Sequence, residues 1–214
     1  MLHEAIRLLS LLAVFLSGAS TETSAGYLSR ITNAVGHQIN ITSHDGMGRP
    51  LSITDQNGVV TDLEYNARGW LTKSSVRHGT GDAVTIIKYS LAGDVTKVTL
   101  PDGSFLTYAY DDARRLTVIT NQAGETIEFA YDLARNVTAQ VTKDSGGTIK
   151  RTQTRAYDEL SRLLRTIGAA TQTTQFGYDN NSNLVSLTDP LNKTTGFGFD
   201  ALNRLITATN PLMG

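Results

Sequence analysis

Few side chains in this sequence could do chemistry, and their spacing argues against catalysis. Four histidines, His3, His37, His44 and His78, stand far apart, and no two share the helix-face spacing that gathers zinc ligands or joins a general base to its partner. Cysteine is absent, which removes thiolate nucleophiles, disulfides and Cys-based zinc sites together. Aspartates are plentiful, and paired carboxylates can divide acid and base roles. Here, however, they recur at one place in each unit of a repeat, which points to a structural task. The sequence has no Gly-rich phosphate loop followed by Lys, no Gly-x-Ser-x-Gly elbow and no dinucleotide fingerprint. The expectation is a protein that is not an enzyme and holds no cofactor and no metal.

The elements that carry those aspartates follow from composition and period. The chain has 214 residues, 40% apolar and 18% charged, which is enough to fold and poor in the charge typical of helical proteins. Nineteen Gly, eight Tyr and many Thr favour strands and turns. With a net charge of -1 and its Lys and Arg scattered singly, the chain offers no basic stripe for a phosphate backbone, so nucleic acid is excluded as a partner.

Self-comparison exposes the repeat. An aromatic residue followed by Asp or a small polar residue recurs as Tyr65-Asn66, Tyr89-Ser90, Tyr110-Asp111, Tyr131-Asp132, Tyr157-Asp158, Tyr178-Asp179 and Phe199-Asp200, with His44-Asp45 as a degenerate earlier copy. Successive anchors lie 21, 24, 21, 21, 26, 21 and 21 residues apart, as insertions in two loops would produce. His44 stands where the other copies have an aromatic. A further weak copy starts near Glu22, so the array divides into a weak N-terminal repeat over 20–43 and the main repeats over 44–214.

Each copy holds two turns. One follows the anchor and continues through Arg or Asn to an aliphatic residue, as in Ser161-Arg162-Leu163; the other is a polar turn such as Asp55-Gln-Asn-Gly58. Asp or Asn opening a turn and Gly closing it fits a type I turn followed by a residue of positive φ. Two turns per unit leave two strands. In Thr126-Ile-Glu-Phe-Ala-Tyr131 the aromatics sit two apart, on one face of a strand. The fold class is all-β: an antiparallel meander of about sixteen strands, long enough for its accumulated twist to coil it into a spiral or open shell. The anchor aromatics are expected to form a buried ladder between units, and Trp70, at a position where other copies have Arg, is the candidate exposed surface contact.

The phrases Tyr157-Asp-Glu-Leu-Ser-Arg-Leu163 and Phe199-Asp-Ala-Leu-Asn-Arg-Leu205 resemble the YD or RHS repeat of bacterial Rhs proteins, of the shell components of insecticidal toxin complexes and of teneurin barrels. The resemblance implies a β-shell that encloses a toxic C-terminal domain or serves as a surface scaffold. Relatives carry many more repeats, so the chain is expected to be a fragment or a short member. Their arrays end in a self-cleaving Asp-Pro segment. Asp189-Pro190 and Asn210-Pro211 fall instead at the second turn of a repeat, where Pro is an ordinary turn residue.

The N-terminus bears on location. An apolar run from Leu8 to Leu16, preceded by Arg7 and followed by Ser17-Gly18-Ala19, resembles a secretory signal peptide over residues 1–19, and it is too short to span a bilayer. The expected location is secreted or at the cell surface. Three readings follow: a wall module of a shell, partnered by further YD-repeat segments or an enclosed toxin domain; a module binding carbohydrate or a cell surface through exposed aromatics; and a non-functional remnant of a larger toxin gene.

Overall fold

The computed structural model of the protein describes residues 19–22, 26–77, 79 and 81–210. His3, His78, residues 1–18 of the apolar N-terminus and the Pro211 turn lie outside the described residues. The chain forms two compact units, residues 1–107 and 108–214.

The first unit is a meander of β1 (Ala19–Glu22), β2 (Leu28–Thr32), β3 (Gln38–His44), β4 (Pro50–Asp55), β5 (Val60–Tyr65), β6 (Leu71–Val76), β7 (Ala83–Tyr89) and β8 (Val95–Thr99), ending within β9 (Phe105–Tyr110). Each strand pairs antiparallel with the next. The second unit continues the pattern with β10 (Leu116–Asn121), β11 (Thr126–Tyr131), β12 (Val137–Lys143), β13 (Ile149–Tyr157), β14 (Leu163–Ile167), β15 (Thr173–Tyr178), β16 (Leu184–Thr188), β17 (Thr194–Phe199) and β18 (Leu205–Thr209). Here too neighbours in sequence are neighbours in the sheet. The described residues thus contain eighteen strands rather than about sixteen, because the weak copy near Glu22 contributes β1 and β2.

The turns explain why the chain reverses where it does. In the hairpin opened by Asp158, the Asp158 amide donates to the Arg162 carbonyl and the Ser161 amide donates back to the Asp158 carbonyl, each at 3.0 Å. The same two bonds close the turns opened at Asn33, Asp45, Asp55, Asn66, Ser90, Leu100, Asp111, Asn121, Asp132, Asp144, Gly168, Asp179, Asp189 and Asp200. This is a type I turn closed by a left-handed residue, the usual three-residue hairpin loop. The opening side chain completes it: Asp158 Oδ1 accepts from the amides of Leu160 at 3.0 Å and Arg162 at 2.9 Å, donors that the strand ladder leaves free.

A second feature recurs at the anchors. At each anchor from Tyr65 on for which a register is described, the pairing slips by one residue, as where Ala130 faces Ala139 but Tyr131 faces Val137; of the described polar-turn hairpins, that of Asp144 shows the same slip, between Thr142 and Lys143. Such a bulge bends and twists the strand. Thr72 sits at one of these bulges and donates to the Glu64 carbonyl, and Thr117 donates likewise to the Ala109 carbonyl, each at 3.2 Å.

Little of this is a conventional core. Among the described residues only Ile41 and Leu100 are buried apolar side chains, and Ser74, Ser75 and Thr85 are the buried polar ones. Most strand positions are half-buried. Cohesion must come from strand pairing and from side chains that join one repeat to the next.

Candidate repeat-coupling site along the anchor turns

The anchor residues end their strands, half-buried, at the mouth of the anchor turn. Four of their hydroxyls bond to the preceding repeat. Tyr89 donates to the Leu71 carbonyl at 2.7 Å, Tyr131 to Leu116 at 2.6 Å, Tyr157 to Val137 at 3.2 Å and Tyr178 to Leu163 at 3.1 Å. In every case the acceptor is the aliphatic residue that opens the outgoing strand one repeat earlier. His44 makes the same contact, with Nε2 at 2.9 Å from the Leu28 carbonyl, so the Nε2–H tautomer donates. Burial raises the phenol pKa of Tyr65 and Tyr89. Phe199 lacks the hydroxyl.

The residue four after the turn opener has a role that the sequence reading passed over. Arg49, Arg115 and Arg162 each place Nε on their own opener, 2.6, 2.6 and 2.7 Å from Asp45, Asp111 and Asp158. Each guanidinium then lies over the next anchor ring, 4.9 Å above Tyr65, 5.0 Å above Tyr131 and 4.9 Å above Tyr178. Arg115 and Arg162 also donate through Nη1 to the carbonyls of Asp132 and Asp179, at 3.1 and 3.0 Å. One side chain thus holds its own turn and the next one. The recurrence of Arg or Asn at this position was the available signal.

Asn136 and Asn183 fill the same position with a shorter reach. Each caps its own opener at 2.9 Å and donates to the residue closing the next anchor turn, Ser161 Oγ at 3.0 Å and Asn203 Oδ1 at 2.8 Å. In Tyr27 and Trp70 the bridge is a ring. Tyr27 meets His44 with centroids 5.4 Å apart, and Trp70 meets Tyr89 at 5.2 Å. Trp70 is accordingly half-buried between repeats, with the Arg68 guanidinium 5.1 Å above its ring, rather than the exposed contact expected from sequence. Tilted ring pairs form at these two aromatic bridges, whereas at the three Arg bridges a guanidinium lies over the next phenol.

The carboxylates are set for this work. The Arg115 amide holds Asp111 below the ordinary carboxylate range, and the Arg162 and Arg204 amides do the same for Asp158 and Asp200, with the Arg side chains adding to each. Asp132 and Asp179 are lowered first by the Asn136 and Asn183 side-chain amides. All remain charged acceptors at neutral pH. His37 and His44 share no site, and no group of His, Asp and Glu among the described residues could hold a metal ion. The arrangement couples turns; it does not gather reactive groups.

Two family models match the chain, the RHS repeat over 44–83 and 89–126 and the teneurin YD-shell over 117–210. Comparison with curated proteins finds no match. Among solved structures, the TcdB2-TccC3-Cdc42 crystal structure superposes with a TM-score of 0.72 at 17% identity over 89% of this chain. TcdB2-TccC3 without its hypervariable C-terminal region gives 0.71, and TcdB2-TccC3 gives 0.68 over 87% of this chain, both also at 17% identity. This chain spans 12% of the length of each, and the likeness is one of fold.

Proposed function

Because this chain belongs to the RHS/YD-repeat family, we propose that it is a non-catalytic stretch of wall in a larger YD-repeat shell or surface scaffold. The observation that carries this reading is the coupling along the anchor turns: within each unit, repeats are gripped by the one before them through Arg, Asn or an aromatic ring, while almost nothing among the described residues is fully buried. Stability built from neighbour contacts suits a wall that is lengthened by adding units. The anchors His44, Tyr65, Tyr89, Tyr110, Tyr131, Tyr157, Tyr178 and Phe199 and the Asp residues that follow them are the structural residues of that wall. Residues 20–43 count as one more unit, since Gly26, Tyr27 and Leu28 take the places of Gly69, Trp70 and Leu71. Its partners are further YD-repeat segments or an enclosed domain, and it works outside the cytoplasm.

The carbohydrate-binding alternative asks for aromatic faces free to stack on sugar. Against it, the Tyr89, Tyr131, Tyr157 and Tyr178 hydroxyls are spent on backbone carbonyls, and the Tyr131 and Tyr178 rings lie beneath guanidinium groups. The test is a graft: residues 44–210 replace the equivalent repeats of the TcdB2-TccC3 shell, and the product is imaged by cryo-electron microscopy. A continuous wall is expected. A breach at the graft, or saturable binding of the chain on a glycan array, contradicts the reading.

A further inference from the structure

The position just before the closing residue of a turn is held by Asn57 in the turn of Asp55, by Asp102 in the turn of Leu100 and by Asn181 in the turn of Asp179. Asp102 is engaged, its Oδ1 accepting from the Ser104 amide at 2.9 Å and from Ser104 Oγ at 2.6 Å. Asn181 is engaged as well, with Nδ2 donating to Asn203 Oδ1 at 3.2 Å. Asn57 differs from both. Its amide donates to Asp55 Oδ1 at 2.8 Å, but its exposed side chain has no hydrogen-bond partner among the described residues. Gly58 follows, and Asn57-Gly58 is the one Asn-Gly pair in the sequence. Glycine has no Cβ to crowd its own amide nitrogen, and nothing lies within 4 Å of the space a Cβ on Gly58 would fill.

We propose that Asn57 is a site of spontaneous deamidation whose rate is set by the turn that holds it. The Gly58 amide nitrogen gives up its proton to solvent and attacks Asn57 Cγ. The N–Cγ bond forms, the Cγ–Nδ2 bond breaks, and ammonia leaves with a proton returned by water. Water then opens the cyclic imide at one carbonyl or the other, leaving aspartate or isoaspartate at 57. The turn restrains the first step. The Gly58 amide is occupied, donating to the Asp55 carbonyl at 3.0 Å, and Asp55 Oδ1 holds the amides of Asn57 and Val59 at 2.8 and 2.9 Å. Attack therefore waits for the loop to open. The two products differ in fit. Aspartate is what the Leu100 turn already carries there, before Gly103 at φ 82 against φ 80 for Gly58, so it refits the loop. Isoaspartate puts an extra carbon into the backbone between β4 and β5, which breaks the closing bonds of the Asp55 turn and loosens the pairing of Thr54 with Val60.

The full chain is aged in mildly alkaline buffer, with and without denaturant, and mapped by tandem mass spectrometry that separates the two products. Asn57 is expected to convert ahead of the other asparagines, and about tenfold more slowly in the folded chain than in the denatured one, as the turn's hydrogen bonds would hold it. Asp55→Ala removes the side-chain acceptor and should speed the folded reaction about threefold while leaving the denatured rate unchanged. Asp55→Asn keeps that acceptor, as Asn33 does in its own turn, and should convert at the parent's rate. Hydrogen exchange in β4 and β5 should be faster in the purified isoaspartyl chain than in the parent and unchanged in Asn57→Asp. Conversion led by Asn181 or another asparagine, equal rates in folded and denatured chains, or an Asp55→Ala chain no faster than Asp55→Asn would each overturn the proposal.

Discussion

The two compact units close their turns with different residues. Before residue 108 every described closing residue is glycine, including Gly36, Gly48, Gly58, Gly69, Gly93 and Gly103, all with φ between 80 and 95°. From residue 108 on, only Gly124 and Gly147 remain, and Arg114, Arg135, Ser161, Thr171, Ser182, Asn192 and Asn203 hold the left-handed conformation with φ between 58 and 71°. The backbone position is therefore the constant, and glycine is one way to fill it. The bridging residue explains much of the choice. A Cβ on Gly48 would lie 2.7 Å from the Tyr27 ring, one on Gly69 2.7 Å from Arg49 Nη1 and one on Gly93 2.8 Å from the Trp70 ring. Where the bridge is the shorter Asn136 or Asn183, the closing residue is Ser161 or Asn203 and its side chain receives the bridge.

This contrast can be broken at chosen positions. The largest effect is expected from Gly93→Ala, which adds left-handed strain to a clash with the Trp70 ring and should cost about 3 kcal/mol in equilibrium denaturation. Removing the ring with Trp70→Ala in the same chain should recover part of that loss, as a double-mutant cycle would show. Gly58→Ala isolates the backbone, since nothing lies within 4 Å of its added Cβ; a cost of about 1 kcal/mol is expected. In the second unit the sign reverses at Thr171, a β-branched residue at φ 64. Thr171→Gly should stabilise by about 0.5 kcal/mol, the relieved strain being partly offset by the entropy of the unfolded glycine.

Acid should act on the openers of both units. Asp45, Asp111, Asp158 and Asp200 all have folded pKa values below their unfolded ones. The stability they contribute is therefore fully present above the unfolded value of about 3.9 and is lost as pH falls from there through the folded values. A series of melts between neutral pH and strong acid should show a flat region followed by a decline below about pH 4. A decline centred near neutrality would point to histidine instead.

The repeat phase and both turn positions were legible because Asp, Asn and Gly mark turns for local reasons and the anchors keep step. Strand β11 spans Thr126–Tyr131, the segment whose aromatics sit two apart in the sequence. Other features needed the fold. The bulges after the anchors depend on pairing register, which no local pattern states. Ser161 and Thr171 are not residue types that mark positive φ; their place as the closing residue of a turn puts them there. Trp70 stood out as an unusual residue at a polar turn, and its burial became visible only when the next repeat was placed over it.

The central claim is that the bridging side chain couples consecutive repeats, and a double-mutant cycle on Arg162→Ala and Tyr178→Ala tests it most directly. The claim predicts a coupling energy of about 1 kcal/mol or more between them, since each variant alone already removes the shared contact. Costs that simply add, to within about 0.3 kcal/mol, would contradict it.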